Sequence, residues 1–230
     1  MIISHKHKFI FIKTEKTAGT SFEIALSNIC GPEDVITPIA PQDEKYRKSL
    51  GFLGRQNFII PNNQYAFKEL AKKILFGKQQ LQFYNHISAN NVKKRVSPEI
   101  WDTYYKFCFE RNPFDKVISW YHHNGGDAKH GSILNFIESG EAGRVKGFEL
   151  YTNNLIPIVD KVYKYEELDE AIIELNNRFN LNGQLSLPPK KAKGNIRKDK
   201  RSYKEILNQA EVEWISKIFA REISFFNYKF

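Results

Sequence analysis

The chain has 230 residues, of which 41% are apolar, 14% aromatic and 27% charged, and these proportions exclude a disordered, collagen-like or fibrous chain. The length fits one globular domain spanning residues 1–230. Lysine and arginine number 35 against 26 aspartates and glutamates, and the formal net charge of +9 indicates an anionic partner such as a nucleotide, a nucleic acid, a membrane surface or a polyanionic substrate.

The cysteines and the hydrophobic segments both favour a soluble, cytoplasmic protein. Cys30 and Cys108 are too few for a disulfide scaffold, so we expect two reduced thiols. The first apolar run, residues 9–12, is shorter than the ~7 residues that a secretory signal needs. No stretch approaches the ~18 apolar residues of a membrane span.

The chain begins with a predicted strand, loop and helix. Residues 9–12 read Phe-Ile-Phe-Ile, the pattern of a strand buried on both faces. Residues 13–20 form a polar loop, and residues 21–29 have apolar side chains at helical spacing until a Gly-Pro pair ends the helix. Residues 31–65 are rich in Pro, Asn, Gln and Gly, which predicts irregular structure.

A second strand–turn–helix unit lies in the middle of the chain. Residues 66–75 favour a helix, 80–86 a short strand running into a loop, and 98–105 a short helix. Residues 105–111 form an aromatic-rich strand that an Asn-Pro pair ends, and residues 114–123 again have helical apolar spacing.

The last third of the chain contains a third unit and a basic segment. Residues 161–165 predict a strand and residues 166–179 a helix. Residues 186–204 are basic and punctuated by Pro and Gly. Residues 212–223 predict the final helix, and we expect the aromatic tail 225–230 to pack back on the core.

Repeated strand–loop–helix units predict an α/β fold with a central, mainly parallel sheet flanked by helices. Ligands of such sheets bind at the carboxyl ends of the strands. The loops at 13–20, 84–90, 111–119 and 186–204 are therefore the candidate binding segments.

The loop after the first strand has the composition of a phosphate site. A helix N-terminus offers N–H groups and a partial positive charge to an anion, while glycine lets the backbone approach closely. Lysine before the glycine excludes the Walker A pattern, and an ordinary threonine or serine N-cap remains the alternative. The candidate residues are Lys16, Thr17, Ala18, Gly19, Thr20 and Ser21.

The loop after the second strand carries an arginine suited to phosphate. Arg111 ends a strand, so its planar fork can reach an anion at the sheet edge, and Ser119 lies about two helical turns further on. The alternative is a structural Arg111 capped by Asp115, with Ser119 on the surface.

Both loops resemble motifs of the sulfotransferases that use 3′-phosphoadenosine-5′-phosphosulfate (PAPS), and in particular the carbohydrate-type O-sulfotransferases. Residues 9–21 resemble the 5′-phosphosulfate loop of that family, with Glu15 where proline is common. We expect Glu15 to point away from the donor or to pair with a base. Residues 111–119 resemble the 3′-phosphate motif R-[DN]-P-x-[DE]-x-x-x-S. The resemblance implies a P-loop-like three-layer sandwich.

Further segments extend the resemblance over most of the chain. Residues 162–168 resemble a segment whose tyrosine, here Tyr165, lies near the adenine, although a half-buried strand-end tyrosine is the alternative. Residues 190–201 occupy the place of a basic loop that closes over the 3′-phosphate, which implies roles for Lys193, Gly194 and Arg197 unless these charges are simply solvated.

The catalytic base is sought among the six histidines, because imidazole accepts a proton near neutral pH. Residues 83–89 resemble the histidine motif of the carbohydrate enzymes, which implies that His86 is the base. A structural His86, and a carboxylate such as Glu23 as the base, are the alternatives. His122 and His123 are adjacent and so do not share a helix face, and we expect no metal site.

The resemblance implies transfer of a sulfuryl group from PAPS to an acceptor hydroxyl, on a carbohydrate or glycan, with Lys16 and His86 as catalytic residues and no metal cofactor. The variable segments 31–80 and 124–160 would shape the acceptor pocket. A P-loop-like nucleotide phosphotransferase and a non-enzymatic nucleic-acid-binding protein are the alternatives. Residues 186–204 hold eight cations against one carboxylate, and this concentration of charge argues against a general nucleic-acid-binding face.

Overall fold

A computed structural model describes residues 1–60, 80–189, 197, 199 and 201–230. The helix predicted over 66–75 lies outside these residues. The helices and strands are, in chain order, β1 (Ile2–Ser4), β2 (Phe9–Phe11), α1 (Gly19–Ser27), β3 (Val35–Ile36), α2 (Pro41–Ser49), α3 (Ala89–Lys93), α4 (Pro98–Thr103), β4 (Tyr105–Glu110), α5 (Pro113–His123), α6 (Asp127–His130), α7 (Ile133–Glu138), α8 (Phe148–Tyr151), β5 (Thr152–Asn153), β6 (Ile156–Pro157), β7 (Lys161–Lys164), α9 (Leu168–Arg178), α10 (Tyr203–Ile206), α11 (Gln209–Ile218) and α12 (Ala220–Phe226). Short 3₁₀ turns cover Glu141–Arg144 and Tyr165–Glu167.

Five of the described strands form the central sheet in the order β3-β1-β2-β4-β7. Strand β4 pairs in parallel with both β2 and β7, with Phe11 opposite Phe107 and Phe107 opposite Lys161. Strand β1 is antiparallel to both of its neighbours, β2 and β3. The sheet is therefore mixed, and its parallel part is made by the three units read from the sequence.

Helices cover both faces of the sheet because the strands are apolar on both sides. Phe9 and Phe11 face a cluster that includes residues of α1 and α9, whereas Ile10 and Ile12 face a second cluster with residues of α3, α4 and α8. This alternation follows from the two-residue repeat of a strand. The rings of Phe22 on α1 and Phe109 on β4 lie 4.5 Å apart, and such contacts fix the helix on the sheet. The predicted α/β architecture is confirmed.

Two segments differ from the sequence prediction because they lack the patterns used to find them. Residues 31–65, predicted irregular, contain α2, whose polar sequence buries only Asp43 and Arg47 and so has no apolar stripe. Residues 80–86, predicted as a short strand running into a loop, form one isolated bridge within the described part of the chain, between Ile59 and Leu81.

The C-terminal part also differs from its prediction in detail. The single helix predicted over 212–223 is interrupted at Phe219, which ends α11 and precedes α12. The aromatic tail packs back in part: the ring of Phe230 lies 5.2 Å from that of Phe114, whereas Phe225 is 52% exposed.

The remaining expectations from composition concern the thiols and the hydrophobic segments. Cys30 and Cys108 are both buried, free cysteines. Among the described residues, no helix combines the length and the apolar character that crossing a bilayer requires.

Candidate active site

A cavity of about 690 Å³ opens where the loops after β2 and β4 leave the same edge of the sheet. The two loops emerge together because β2 and β4 are parallel neighbours. Ten of the candidate donor-binding and catalytic residues line this cavity, namely Lys16, Ala18, Gly19, Thr20, Ser21, His86, Arg111, Ser119, Tyr165 and Arg197. Lys193 and Gly194 lie outside the described residues.

The first loop presents the N-terminus of α1 to the cavity. Its backbone is left-handed at Lys16 (φ 63°) and at Ala18 (φ 56°), the residue that precedes the helix. The methyl group of Ala18 cannot accept hydrogen bonds from the N–H groups of the first turn, so an anion can take that role. The side chain of Thr17 is buried and stabilises the loop itself, because its Oγ1 lies 2.9 Å from Oγ1 of Thr14.

Gly19 is needed because its backbone passes close to a buried side chain. A Cβ atom at Gly19 would lie 2.9 Å from Cγ of Lys13 and 3.2 Å from the carbonyl oxygen of Thr14. Lys13 is only 2% exposed and its Nζ is bound to Glu23 at 2.7 Å, so it has little room to move.

We therefore expect Gly19→Ala to lower the free energy of unfolding by ~1–3 kcal/mol, the usual cost of overpacking. Urea unfolding measures this change. Gly54→Ala is the matched control, because nothing lies within 4 Å of a Cβ at Gly54, and we expect it to stay within ~0.5 kcal/mol of the parent. A Gly19→Ala protein as stable as the control would show that the loop accommodates a methyl group.

Glu23 lies beneath the first loop and does not reach the cavity. It is fully buried, with Oε2 2.7 Å from Lys13 Nζ and Oε1 accepting a hydrogen bond from the Thr37 hydroxyl at 3.0 Å. Burial raises the pKa of Glu23, but the charges of Lys13 and of the Met1 amino group outweigh it and hold the pKa at about 2. Glu23 is therefore not among the residues that line the cavity, and its burial and ion pairs disfavour it as the alternative base.

Glu15 is bound to the main chain of Lys146. Its Oε2 accepts a hydrogen bond of 2.8 Å from the backbone N–H of Lys146, and its own N–H donates to the Lys146 carbonyl at 2.9 Å. Among the described residues the carboxylate thus binds a main-chain amide and no basic side chain, and Glu15 is one of the residues that line the cavity.

His86 is held in a defined tautomer at the cavity. Its backbone is left-handed (φ 57°), and Nδ1 lies 3.0 Å from the carbonyl oxygen of Lys13. A carbonyl only accepts, so Nδ1 carries the hydrogen and Nε2 has the free lone pair of a neutral ring. Burial, reinforced by the Lys13 charge, lowers the pKa of His86 to about 3.

Arg111 is fixed on three sides. Its Nη1 donates to the carbonyl of Lys16 at 2.9 Å, its Nε donates to Asp115 Oδ2 at 2.9 Å, and its guanidinium carbon lies 4.2 Å from the centre of the Tyr165 ring. Asp115 thus caps Arg111, as the structural alternative expects, and Arg111 also lines the cavity. Since the Arg111 guanidinium covers one face of the Tyr165 ring, an aromatic ligand would have to stack on the other face of that ring.

A buried ion pair supports the second loop as Lys13 and Glu23 support the first. Lys116 Nζ lies 2.7 Å from Glu110 Oε1, and both side chains are at most 1% exposed. Tyr151 donates to Glu110 Oε2 at 3.0 Å, and the backbone N–H of Arg111 donates to Oε1 at 3.0 Å. The carboxylate thereby sets the direction in which Arg111 leaves the strand.

Some residues at the cavity were not singled out from the sequence. Trp120 and His123 line it, with ring centroids 5.5 Å apart and planes inclined by 25°. His123 follows Ser119 by four residues on α5, so its helical spacing from the serine is the signal that could have identified it. Lys13 also lines the cavity, and the signal was a lysine directly after a buried strand. Among the described residues, no group of His, Cys, Asp and Glu could hold a metal ion.

The N-terminal part of the chain is similar to known proteins. The model of the sulfotransferase family matches residues 1–142, which include both loops at the cavity and His86. An uncharacterized protein of Archaeoglobus fulgidus is 33% identical over 101 residues, which are 42% of this chain and 84% of that protein. No solved structure matches the chain.

Proposed function

The chain belongs to the sulfotransferase family, and from that premise we propose that it moves a sulfuryl group from PAPS to a hydroxyl group of a carbohydrate acceptor. The observation that carries this proposal is the meeting of the helix α1 N-terminus, Arg111 and His86 at one cavity. Its volume of about 690 Å³ lies within the range of nucleotide and drug-sized sites, ~300–1,000 Å³. We further propose that the fold is the P-loop-like three-layer sandwich.

In this proposal the backbone of residues 17–21 holds the 5′-phosphate of PAPS, and Arg111 and Ser119 hold the 3′-phosphate. The acceptor oxygen attacks sulfur, the bond from sulfur to the 5′-phosphate oxygen breaks, and 3′-phosphoadenosine 5′-phosphate (PAP) leaves. Lys16 stabilises the charge that develops on that oxygen. Nε2 of His86 takes the acceptor proton, which its neutral, oriented ring permits.

An aromatic pair that lines the cavity, Trp120 and His123, suits a sugar ring. The indole Nε1 of Trp120 donates to the carbonyl of Glu141 at 3.0 Å, which fixes the indole beside His123. Flat aromatic surfaces pack against the C–H faces of a sugar, and the neighbouring polar groups can bind its hydroxyls. This pairing supports a carbohydrate acceptor over a purely apolar one.

Calorimetry with PAP, the desulfated product, tests the proposal before any acceptor is known. We expect micromolar binding of PAP and much weaker binding of AMP, which lacks the 3′-phosphate. Arg111→Ala should remove most of this difference, since a charge-assisted pair contributes ~1.5–3 kcal/mol. Failure of the parent protein to bind PAP would reject the donor assignment. If PAP binds, transfer from labelled PAPS to a panel of glycans is the next measurement.

The pKa of His86 gives a prediction about pH. Because burial and the Lys13 charge lower this pKa to about 3, the ring stays deprotonated as the pH falls through neutrality. We expect kcat/KM to show no acid limb with an apparent pKa near the ordinary ~6.5 of histidine. A pH profile measured from about pH 5 to pH 8 checks this range. An acid limb of kcat/KM near pH ~6.5 that disappears in His86→Asn would contradict this prediction. It would show that the His86 imidazole of the free enzyme becomes protonated below that pH.

A further inference from the structure

Arg197 is joined to the rest of the domain through Asp115. Its Nη1 donates to Asp115 Oδ1 at 2.6 Å. Its Nε and Nη2 donate to the carbonyls of Asp199 and Arg201, at 2.7 and 2.5 Å, which belong to its own segment. Of the contacts that the structure describes for Arg197, the one with Asp115 is the link that places this guanidinium at the cavity.

The other oxygen of Asp115 holds the arginine of the second loop. Oδ2 accepts from Nε of Arg111 at 2.9 Å and also from its Nη2. One carboxylate on the first turn of α5 therefore bridges two guanidinium groups that come from distant parts of the chain. Two such cations repel each other at close range, and a carboxylate between them offsets that repulsion.

The bridged arginines keep donors for an anion. A guanidinium has five N–H groups, and the described contacts of Arg111 use three of them, as do those of Arg197. A phosphomonoester offers three acceptor oxygens and about −1.5 to −2 charges at neutral pH. The pair therefore suits this group in both charge and donor count.

We propose that Asp115 is a positioning residue that brings Arg197 beside Arg111, so that the two form a clamp for the 3′-phosphate of the donor. This inference rests on the proposed function. Arg111 has further supports in the Lys16 carbonyl and the Tyr165 ring, whereas Arg197 depends on Asp115. Loss of Asp115 should therefore act mainly through Arg197.

Calorimetry with PAP and AMP on Asp115→Ala, Arg197→Ala and the double variant tests the clamp. We expect Asp115→Ala to weaken PAP binding about 10- to 100-fold, the range of one charge-assisted contact, and AMP binding by less than about threefold. The double variant should bind PAP within about twofold of Arg197→Ala alone, because both changes remove the same contact. Asp102→Ala, at an exposed aspartate on α4, is the matched control and should bind PAP like the parent.

The possible outcomes distinguish a failure of the clamp proposal from a failure of the donor assignment on which it rests. Equal losses for PAP and AMP would mean that Asp115 only maintains the fold, and additive losses in the double variant would mean that it does not act through Arg197. Tighter PAP binding in Asp115→Ala would mean that the carboxylate competes with the phosphate. Each of these results overturns the clamp and leaves the donor assignment standing, whereas a parent protein that binds no PAP overturns both.

Discussion

Replacing Lys16 with alanine is expected to lower the turnover of sulfuryl transfer by two or more powers of ten. The loss of one group that stabilises developing charge costs about 10²–10³ in kcat. Lys16 lines the cavity beside the N-terminus of α1, and its carbonyl is held by Arg111 at 2.9 Å, so its backbone is fixed relative to both loops. In the proposed function, its ammonium stabilises the negative charge that develops on the 5′-phosphate oxygen.

The measurement is a single-turnover rate with saturating PAPS, together with the Kd of PAP. We expect the rate to fall while the Kd of PAP changes less than the rate, because Lys16 acts on charge that appears during transfer. Lys8→Ala is a close control: Lys8 is exposed, is also left-handed (φ 53°), and its carbonyl accepts from the N–H of Tyr105 at 2.9 Å. Turnover of Lys16→Ala within tenfold of the parent would remove Lys16 from the chemistry.

Replacing Lys116 with alanine is expected to lower the free energy of unfolding by ~3–5 kcal/mol, since it leaves a buried carboxylate without its counter-ion. Glu110 is 0% exposed and its other described partners, the Tyr151 hydroxyl and the Arg111 amide, carry no positive charge. The loss is large compared with the ~5–15 kcal/mol that stabilises a typical domain.

Urea unfolding followed by circular dichroism measures this loss. The double variant Glu110→Gln/Lys116→Met, which removes both charges, should be more stable than Lys116→Ala alone. Lys45→Ala, at an exposed lysine on α2, should stay within ~0.5 kcal/mol of the parent. If Lys116→Ala unfolded like the Lys45 control, the pair would not be a buried ion pair in solution.

The parts of the fold that could be predicted are those with a local pattern. The apolar run at residues 9–12 and the aromatic run at 105–111 each predicted a strand, and the parallel pairing of these strands then brought Lys16 and Arg111 to one edge. The apolar run at β1 covers only residues 1–3, against the four residues 9–12 at β2, and α2 has no apolar stripe, so neither element carries a pattern long enough to be recognised.

The supports of the candidate site could not be read from the sequence, because they depend on tertiary contacts. Asp115 and Arg197 are 82 residues apart, and nothing local relates them. Lys116 occupies an unspecified position of its motif, and its burial against Glu110 follows from the packing of α5 against the sheet. The lowered pKa of His86 likewise depends first on its burial and then on the charge of Lys13, which comes from another strand–loop unit.

The two buried lysine–glutamate pairs have a consequence for recombination. Lys13 and Glu23 lie within the first strand–loop–helix unit, and Glu110 and Lys116 lie within the second, so each unit brings its own counter-charge. A crossover with a relative anywhere between residues 38 and 104 would leave both pairs and the Thr37 contact intact. Chimeras joined in that interval would therefore keep every charge of these two pairs neutralised in the core.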